Sequence, residues 1–364
     1  MRKIGIDARL LNQSGVGTYL QNLLFYLDKN NSSEVLYYVY LLKNDFEKLH
    51  FRSKNIIKKE ANFHWHGFSE QFSFPLTLLK DNLDLMHFTY FTFPIFYCKK
   101  FLITIHDMTP ILFKTGRAST KNLLIYYLKH FIFKIVFFLG LKNSVKVIVP
   151  TKTVKDQIVS YYGEKFKDKI EVIYEGVSYN LLKSSKKKIN QKEFSYKNFF
   201  LYVGNFYPHK NVENLIEAFS YINKKYSLIL VGTDDFFAKR IEDLINKKNV
   251  KNIFLVKNIK KDKLKWFYQN SLALIHPSLS EGFGLTLIES AYYNRPIIAS
   301  DIKVFKEIWG KNYISFNPKD PKDIRKKIEY FLEKKPKFFY KNILKKYSFE
   351  KMTRETLKIY HKID

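Results

Sequence analysis

Short apolar runs of five to eight residues recur along this chain, and stretches with helical periodicity separate them. Such alternation is typical of a parallel β-sheet whose strands are connected by helices. Six runs form a first series: KIGIDA (3–8), VLYYVYLL (35–42), LDLMHF (83–88), FLITIH (101–106), VKVIVP (145–150) and KIEVIY (169–174). Helical stretches at 18–28 and 152–162 follow two of these runs. The first series therefore predicts a βαβ domain.

A second series begins near residue 198 and repeats the pattern. Its runs are NFFLYVG (198–204), SLILVG (227–232), NIFLV (252–256), LALIHP (272–277) and RPIIAS (295–300), with helices predicted near 211–223, 235–247, 261–270 and 285–293. These runs are almost continuously apolar, as expected where helices cover both faces of a sheet. We therefore predict an α/β protein with two Rossmann-like, doubly wound domains that face each other across a ligand-binding cleft.

The length of 364 residues fits two domains of roughly 150–200 residues each. We place the N-terminal domain at 1–178 and the C-terminal domain at 198–345. The intervening segment 179–197 is rich in Lys, Ser and Asn and is predicted to be a linker. The final segment, 346–364, has a helical pattern. It either caps the second domain or crosses back to the first.

The formal net charge is +29, which favours nucleic acid, an anionic membrane or a phosphorylated substrate as partner. The basic residues are mostly Lys, and Phe, Tyr, Ile and Asn are abundant, which equally fits coding drift in an AT-rich genome. The single cysteine, Cys98, excludes an intrachain disulfide and a cysteine-based zinc site and fits a reducing cytoplasm. The N-terminal MRKIGIDARLL is predicted to be a first strand, because its apolar run is too short for a signal peptide.

The stretch NLLIYYLKHFIFKIVFFLGL (122–141) is long enough to span a membrane. Lys129, His130 and Lys134 lie in its middle, and each central lysine costs about 2.5–3.5 kcal/mol on insertion. A buried core helix or an interfacial helix is therefore favoured over a membrane span.

The segment HPSLSEGFGLTLIESAYYNRPIIAS (276–300) carries the clearest chemical signal. A strand is predicted to end at its start, and a helix to begin near Leu285, where free backbone N–H groups and the positive helix end suit a phosphate. Glu281 precedes this helix and Glu289 lies just over one turn inside it. A carboxylate can accept hydrogen bonds from two vicinal hydroxyls. On spacing alone, a strand–turn–helix with solvated acids is the favoured interpretation. Asn294 is placed where a left-handed C-cap is needed.

This segment resembles the E-x7-E signature of the family 4 retaining glycosyltransferases, which have the GT-B fold. Further segments resemble motifs of the same family in the expected order: IDARLLNQSGVGTYLQNLL (6–24), ITIHDMTP (103–110), VPTKTVKDQI (149–158), VIYEGV (172–177), LYVGNFYPHKNVENLIEAF (201–219) and LVGTDD (230–235). The resemblance covers about residues 1–345. It implies an acceptor-side N-terminal domain and a C-terminal domain that binds a nucleotide-sugar.

The resemblance also assigns roles to individual residues. It implies catalytic roles for His106, Lys210 and Glu281, with His106 near the reacting carbon, Lys210 at the diphosphate and Glu281 at the sugar hydroxyls. Asp107 either contacts the acceptor or caps the next turn. Donor binding is implied for Gly15, Gly17, Gly204, Asn205, His209, Lys210, Gly282, Phe283, Gly284, Leu285 and Glu289, with Glu289 at the ribose.

The loop 204–210 departs from the family pattern. Many relatives carry Arg either after the glycine or just before the lysine, where this chain has Asn205 and His209. We therefore expect the diphosphate to be held mainly by Lys210 and backbone N–H groups.

The resemblance implies a metal-independent hexosyl transfer with retention of configuration, and no D-x-D metal motif is found. No cofactor is expected beyond the substrate, a GDP- or UDP-linked sugar, with mannose as the first candidate. A growing glycan or lipid-linked glycan in surface polysaccharide synthesis is the expected acceptor. The expected location is the cytoplasm, with peripheral contact to the inner face of the membrane.

Two alternatives remain at this stage. One is another sugar-nucleotide enzyme on the same fold, such as an epimerase, which needs extra acid–base groups instead of an acceptor pocket. The other is a non-catalytic basic protein that binds a membrane. No zinc finger or RNP-like motif supports nucleic-acid binding.

Overall fold

The computed structural model describes residues 1–30, 34–65, 67–113, 123–183 and 196–363. By its contacts, the chain divides into two compact units. Unit 1 comprises Met1–Ile111, Asn122–Glu175 and Tyr347–Asp364, and unit 2 comprises Leu112–Lys121 and Gly176–Lys346. Of the predicted linker, residues 184–195 lie outside the described residues, and Tyr179–Lys183 forms a short helix.

Unit 1 contains a seven-stranded parallel sheet in the order β3-β2-β1-β4-β5-β6-β7. Its strands are β1 (Arg2–Asp7), β2 (Val35–Leu41), β3 (Ile56–Glu60), β4 (Leu85–Phe88), β5 (Phe101–Thr104), β6 (Lys146–Val149) and β7 (Ile170–Val172). Its helices are α1 (Ser14–Lys29), α2 (Lys43–Lys48), α3 (Phe68–Lys80), α4 (Thr109–Leu112), α5 (Leu123–Asn143) and α6 (Lys152–Tyr162). The central strands are buried on both sides, which explains their apolar runs.

Unit 2 contains a six-stranded parallel sheet in the order β10-β9-β8-β11-β12-β13. Its strands are β8 (Phe199–Val203), β9 (Ser227–Gly232), β10 (Ile253–Lys257), β11 (Leu274–His276), β12 (Ile297–Ser300) and β13 (Ile314–Phe316). After α7 (Tyr179–Lys183), its helices are α8 (Val212–Phe219), α9 (Phe236–Lys247), α10 (Lys261–Asn270), α11 (Leu285–Tyr292), α12 (Lys303–Trp309), α13 (Pro321–Lys334) and α14 (Lys341–Lys346). A capping side chain lies at the start of α9, where Asp235 accepts hydrogen bonds from Phe237 N and Ala238 N.

The last helix, α15 (Phe349–Lys362), packs on α1 in unit 1. A buried hydrogen bond of 2.6 Å joins Tyr360 Oη to His87 Nδ1 in β4, and His87 Nε2 contacts Thr104 Oγ1 at 2.8 Å. Burial lowers the pKa of His87 to about 3, so its ring is neutral. The C-terminal helix is therefore hydrogen-bonded to the middle of the first sheet.

The two doubly wound sheets confirm the predicted fold class, and every predicted strand overlaps an observed one. Sequence reasoning missed β3 and β13, and α3 between β3 and β4. Asn294 has a φ of 54°, the left-handed conformation expected after α11.

Candidate active site

In unit 2, the strand order reverses between β8 and β11, which are neighbours in the sheet although other strands separate them in sequence. Connections on the two sides of such a point leave towards opposite faces of the sheet, and a ligand crevice opens between them at the carboxyl ends of the strands. Lys210 lies in the segment after β8, and Glu281 lies in the segment after β11. The topology thus brings these two predicted site residues together.

The loop that carries Lys210 is fixed to the loop after β11. Lys210 ends a short 3-10 helix, Pro208–Lys210, and Asn211 then adopts the left-handed conformation with φ 57°. The buried Asn211 amide donates to Pro277 O at 3.1 Å and to Pro318 O at 2.7 Å. These contacts hold the lysine beside the segment that carries Glu281.

Glu281 accepts two hydrogen bonds on the same oxygen. Lys210 Nζ and His276 Nε2 each lie 2.7 Å from Glu281 Oε1. Burial alone would raise the pKa of Glu281, but Lys210 and His276 together outweigh it and hold this pKa well below its ordinary value. The carboxylate is therefore ionised, and its second oxygen, Oε2, is not used in either contact.

His276 is the neutral member of this cluster. Burial lowers its pKa, with a smaller opposing effect of Glu281 and a further lowering by Lys210. Because Nε2 faces a carboxylate, it carries the ring hydrogen, and Nδ1 can accept from the Thr286 hydroxyl at 3.3 Å. Sequence reasoning missed His276, because a histidine at a strand end has no distinguishing pattern.

The helix α11 presents its amino terminus beside Glu281. Gly284 has a φ of 89°, and a Cβ atom there would lie 2.8 Å from Phe305 Cε1, so only glycine fits without strain. Phe283, just before this helix, is buried. The first N–H groups of a helix have no acceptor within the helix, so this terminus suits an anion.

Glu289 is located one helical turn further on and has a different partner. The buried Tyr268 hydroxyl donates to Glu289 Oε2 at 2.7 Å. This bond fixes the rotamer of Glu289, and Tyr268 was not recognised in the sequence.

Asn205 and His209 lie in the segment between β8 and Lys210. Asn205 O accepts from Tyr202 Oη at 2.5 Å, and His209 O accepts from Leu279 N at 2.8 Å. Within the described part of the chain, the buried amide oxygen of Asn205 has no hydrogen-bond partner.

In unit 1, the strand order reverses between β1 and β4, and Gly15 and Gly17 lie in the first turn of α1, which follows β1. A Cβ atom at Gly17 would lie 2.5 Å from Leu11 O, whereas one at Gly15 would meet nothing within 4 Å. Gly17 is therefore required by close backbone packing, and Gly15 is a position where a ligand can approach the backbone.

A buried ion network fixes the segment between β1 and α1. The Arg9 guanidinium contacts Asp7 Oδ2 at 2.7 Å and Glu70 Oε1 at 2.9 Å, and it lies 4.0 Å above the Phe74 ring. Arg9 was not singled out in the sequence, because its partner Glu70 lies in the missed helix α3.

His106 follows β5 at the carboxyl edge of the same sheet. Its Nε2 lies 3.0 Å from the carbonyl oxygen of Thr89, and its Nδ1 lies 3.2 Å from Glu175 Oε1. The edge of the Tyr19 ring packs against it with centroids 4.8 Å apart. Glu175 lies within the VIYEGV segment, for which the sequence predicted a motif but no role for this glutamate.

Asp107 caps the following helix. Its Oδ1 accepts from Thr109 N at 2.7 Å, at the start of α4. A contact of Asp107 with an acceptor stays a prediction.

Two doubly wound units of this topology are the architecture of the GT-B fold, and comparison with solved structures agrees. Sucrose-phosphate synthase from Thermosynechococcus elongatus has a TM-score of 0.79 at 18% identity, with 100% of this chain and 99% of that chain covered. Anabaena HepE, in complex with UDP and glucose, has a TM-score of 0.76 at 15% identity, with 100% of both chains covered.

Comparison of sequences identifies the family. Residues 13–181 match glycosyltransferase family 4, and residues 184–348 match glycosyl transferases group 1. The O-antigen chain mannosyltransferase RfbU of Salmonella typhimurium is 30% identical over 295 residues, which are 79% of this chain and 76% of that relative. The chain therefore belongs to the family 4, group 1 glycosyltransferases.

Proposed function

We propose that this glycosyltransferase moves a hexose, with mannose as the first candidate, from a nucleotide-sugar to a glycan or lipid-linked glycan acceptor with retention of configuration. One observation carries the proposal: the contact of Lys210 and His276 with a single oxygen of Glu281, beside the amino terminus of α11. A fixed ammonium, a carboxylate oxygen outside both contacts and a helix amino terminus match a diphosphate joined to a sugar.

Each part of the donor binds the protein group whose charge is complementary to it. Lys210 and the first N–H groups of α11 bind the diphosphate, because both are positive. Glu281 Oε2 accepts hydrogen bonds from sugar hydroxyls, while Tyr268 orients Glu289 towards the ribose hydroxyls.

In the transfer step, the bond between the anomeric carbon and the diphosphate oxygen breaks. The acceptor oxygen bonds to the same face of that carbon, and its proton passes to the departing diphosphate oxygen. Negative charge grows on the leaving group, and the ammonium of Lys210 stabilises it. With this cation in place, we propose that the step is metal-independent.

The choice of donor rests on relatives. RfbU is described as an O-antigen chain mannosyltransferase, which favours mannose and a surface polysaccharide. HepE is described in complex with UDP and glucose, which keeps UDP-linked sugars as the second candidates.

We also propose that unit 1 contacts an anionic membrane surface. Large apolar side chains are exposed on α3 and α5, including Phe68 (87% exposed), Leu128 (60%) and Phe131 (62%). Both helices pack on the loop after β4: Gln71 Nε2 lies 3.4 Å from Phe93 O, and the Phe91 and Phe133 ring centroids are 4.8 Å apart. We refer to the exposed residues Phe68, Phe72, Leu76, Phe96, Tyr127, Leu128, Phe131, Ile132 and Ile135 as the apolar surface.

The charges around the apolar surface favour anionic lipid. The helix α5 contains Lys129, Lys134 and Lys142 and no acidic residue, and the one acid of α3, Glu70, is buried against Arg9. Lysines around an apolar patch strengthen adsorption to anionic headgroups. Within the described part of the chain, no helix is both long and apolar enough to cross a bilayer.

A panel of GDP- and UDP-sugars tests the enzymatic proposal. Slow release of nucleoside diphosphate from one donor is expected, together with transfer to a mannose-containing acceptor whose anomeric configuration NMR reports as retained. Transfer should persist in EDTA. If no donor is bound or hydrolysed, or if configuration inverts, the proposed function is wrong.

Flotation with liposomes tests the membrane proposal. The protein should float with anionic vesicles and less with neutral ones, and Phe131→Asp should reduce flotation. Tyr221→Asp, at an exposed aromatic of unit 2, is the control and should float normally. Equal recovery from anionic and neutral vesicles would contradict the role of charge.

A further inference from the structure

The two contacts of His106 require a hydrogen on each ring nitrogen, whereas a neutral imidazole carries a hydrogen on only one of them. Nε2 faces the carbonyl oxygen of Thr89 at 3.0 Å, and a carbonyl only accepts, so Nε2 carries a hydrogen. Nδ1 faces Glu175 Oε1 at 3.2 Å. A second proton must therefore lie between His106 and Glu175, since two lone pairs facing each other would repel.

The shared proton belongs on the histidine. An imidazole nitrogen is a stronger base than a carboxylate oxygen. The arrangement is then an imidazolium between a carbonyl and a carboxylate, with the His106 and Glu175 side chains 11% and 7% exposed.

Within the described part of the chain, two titratable neighbours of His106 are neutral. Tyr19 from α1 is kept neutral because burial raises its pKa, and His87 from β4 is neutral for the reason given above. Tyr90 lies 6.4 Å away, ring to ring, and Asp107 next in sequence is a second acid. The segments 8–13, 89–98 and 105–108, which follow β1, β4 and β5, contain one Arg or Lys, and this residue, Arg9, is bound to Asp7 and Glu70.

We propose that Glu175 is a positioning residue that holds His106 as an imidazolium in a single orientation. Resting on the proposed function, this gives the carboxyl edge of the first sheet a fixed cation for a substrate that carries a diphosphate. Without the shared proton, both the charge and the Nδ1–H···Oε1 bond are lost.

Glu175→Gln separates charge from geometry. A glutamine amide is the same size and can donate to an unprotonated Nδ1, so the ring stays in place but becomes neutral. Histidine ¹⁵N NMR of the full-length protein at pH 7 should show both His106 nitrogens protonated in the wild type and only Nε2 protonated in Glu175→Gln. Glu171→Gln, at an exposed acid of β7 paired with Lys146, is the matched control and should resemble the wild type.

Kinetics provides the second readout. Glu175→Gln should lower kcat roughly 10- to 10²-fold with a smaller change in KM, and it should flatten the alkaline limb of the pH profile. Glu175→Asp should recover part of the rate and restore that limb. A wild-type His106 that is neutral at pH 7, or a Glu175→Gln variant with the wild-type pH profile, would overturn the proposal. Because the NMR signature needs no turnover, it can succeed even if the proposed function fails.

Discussion

Each unit places a histidine–glutamate pair at the carboxyl edge of its sheet, and the two pairs differ in one neighbour. In unit 2, His276 and Lys210 both contact Glu281 at 2.7 Å. In unit 1, His106 contacts Glu175 at 3.2 Å, and its other nitrogen faces a carbonyl. In unit 2, burial keeps His276 neutral and Lys210 supplies the cation, whereas in unit 1 the imidazole itself is the proposed cation. On this proposal, the positive charge beside the glutamate is on a lysine in unit 2 and on the histidine in unit 1.

The largest expected effect concerns the buried network in which Arg9 is paired with Asp7 and Glu70. Arg9→Met leaves Asp7 and Glu70 buried without their cation, which should cost about 3–5 kcal/mol of stability. Denaturant-dependent hydrogen exchange over β1 and β4 measures this loss in unit 1. Arg354→Met, at an exposed position of α15, is the control. If the Arg9 variant is as stable as this control, Arg9 does not stabilise the buried carboxylates of Asp7 and Glu70.

Lys210→Met would remove the lysine from the pair in unit 2 and leave the contact between Glu281 and His276. Lys210→Met is expected to reduce kcat about 10²- to 10³-fold, because the leaving diphosphate loses its preplaced cation. Steady-state assays with the active donor measure it, and Lys224→Met at an exposed site is the control. Wild-type turnover in the Lys210 variant would place the catalytic charge elsewhere.

The same variant should change the response to acid. The depressed pKa of Glu281 means that its stabilisation is complete above the ordinary value of 4.5 and is lost as pH falls through the folded-state pKa. Without Lys210, burial moves that pKa back towards or above its ordinary value, so Lys210→Met should lose less stability than the wild type as pH falls below 4.5. Coincident acid-unfolding curves would contradict this.

Two glycines in the first turn of α1, Gly15 and Gly17, provide a smaller test within unit 1. Gly17→Ala should cost about 1–3 kcal/mol of stability, since its Cβ would lie 2.5 Å from Leu11 O. Gly15→Ala should change stability by less than about 0.5 kcal/mol, and any loss of donor affinity there reports on the ligand. Thermal melts of the two variants check the difference, and equal melting temperatures would refute it.

The smallest expected effect concerns the second carboxylate of unit 2. Tyr268→Phe removes the 2.7 Å hydrogen bond to Glu289 and should raise KM for the donor about 3- to 10-fold, equivalent to roughly 0.5–1.5 kcal/mol, with little change in kcat. An equal fall in kcat would assign Glu289 to the reaction step instead of to ground-state binding.

The sequence predicted the fold because strand periodicity is local, and the order of motifs pointed to Lys210, Glu281 and Glu289. It could not reveal pairs that only the folded chain creates. His87 and Tyr360 are 273 residues apart, and Arg9 and Glu70 are 61 apart. The strand β3 was missed because IIKKE has two lysines where an apolar run was sought. Glu175 was missed as a partner because its role depends on His106, which is 69 residues away.

Calorimetric titration of Glu281→Gln most directly tests the claim that Glu281 holds the transferred sugar while Lys210 and α11 hold the diphosphate. The wild type, Glu281→Gln and Lys210→Met are each titrated with the nucleoside diphosphate and with the intact nucleotide-sugar. Glu281→Gln should weaken nucleotide-sugar binding at least tenfold and leave nucleoside diphosphate binding nearly unchanged, whereas Lys210→Met should weaken both. Equal weakening of both ligands by Glu281→Gln, or no binding of any nucleoside diphosphate by the wild type, would contradict the account.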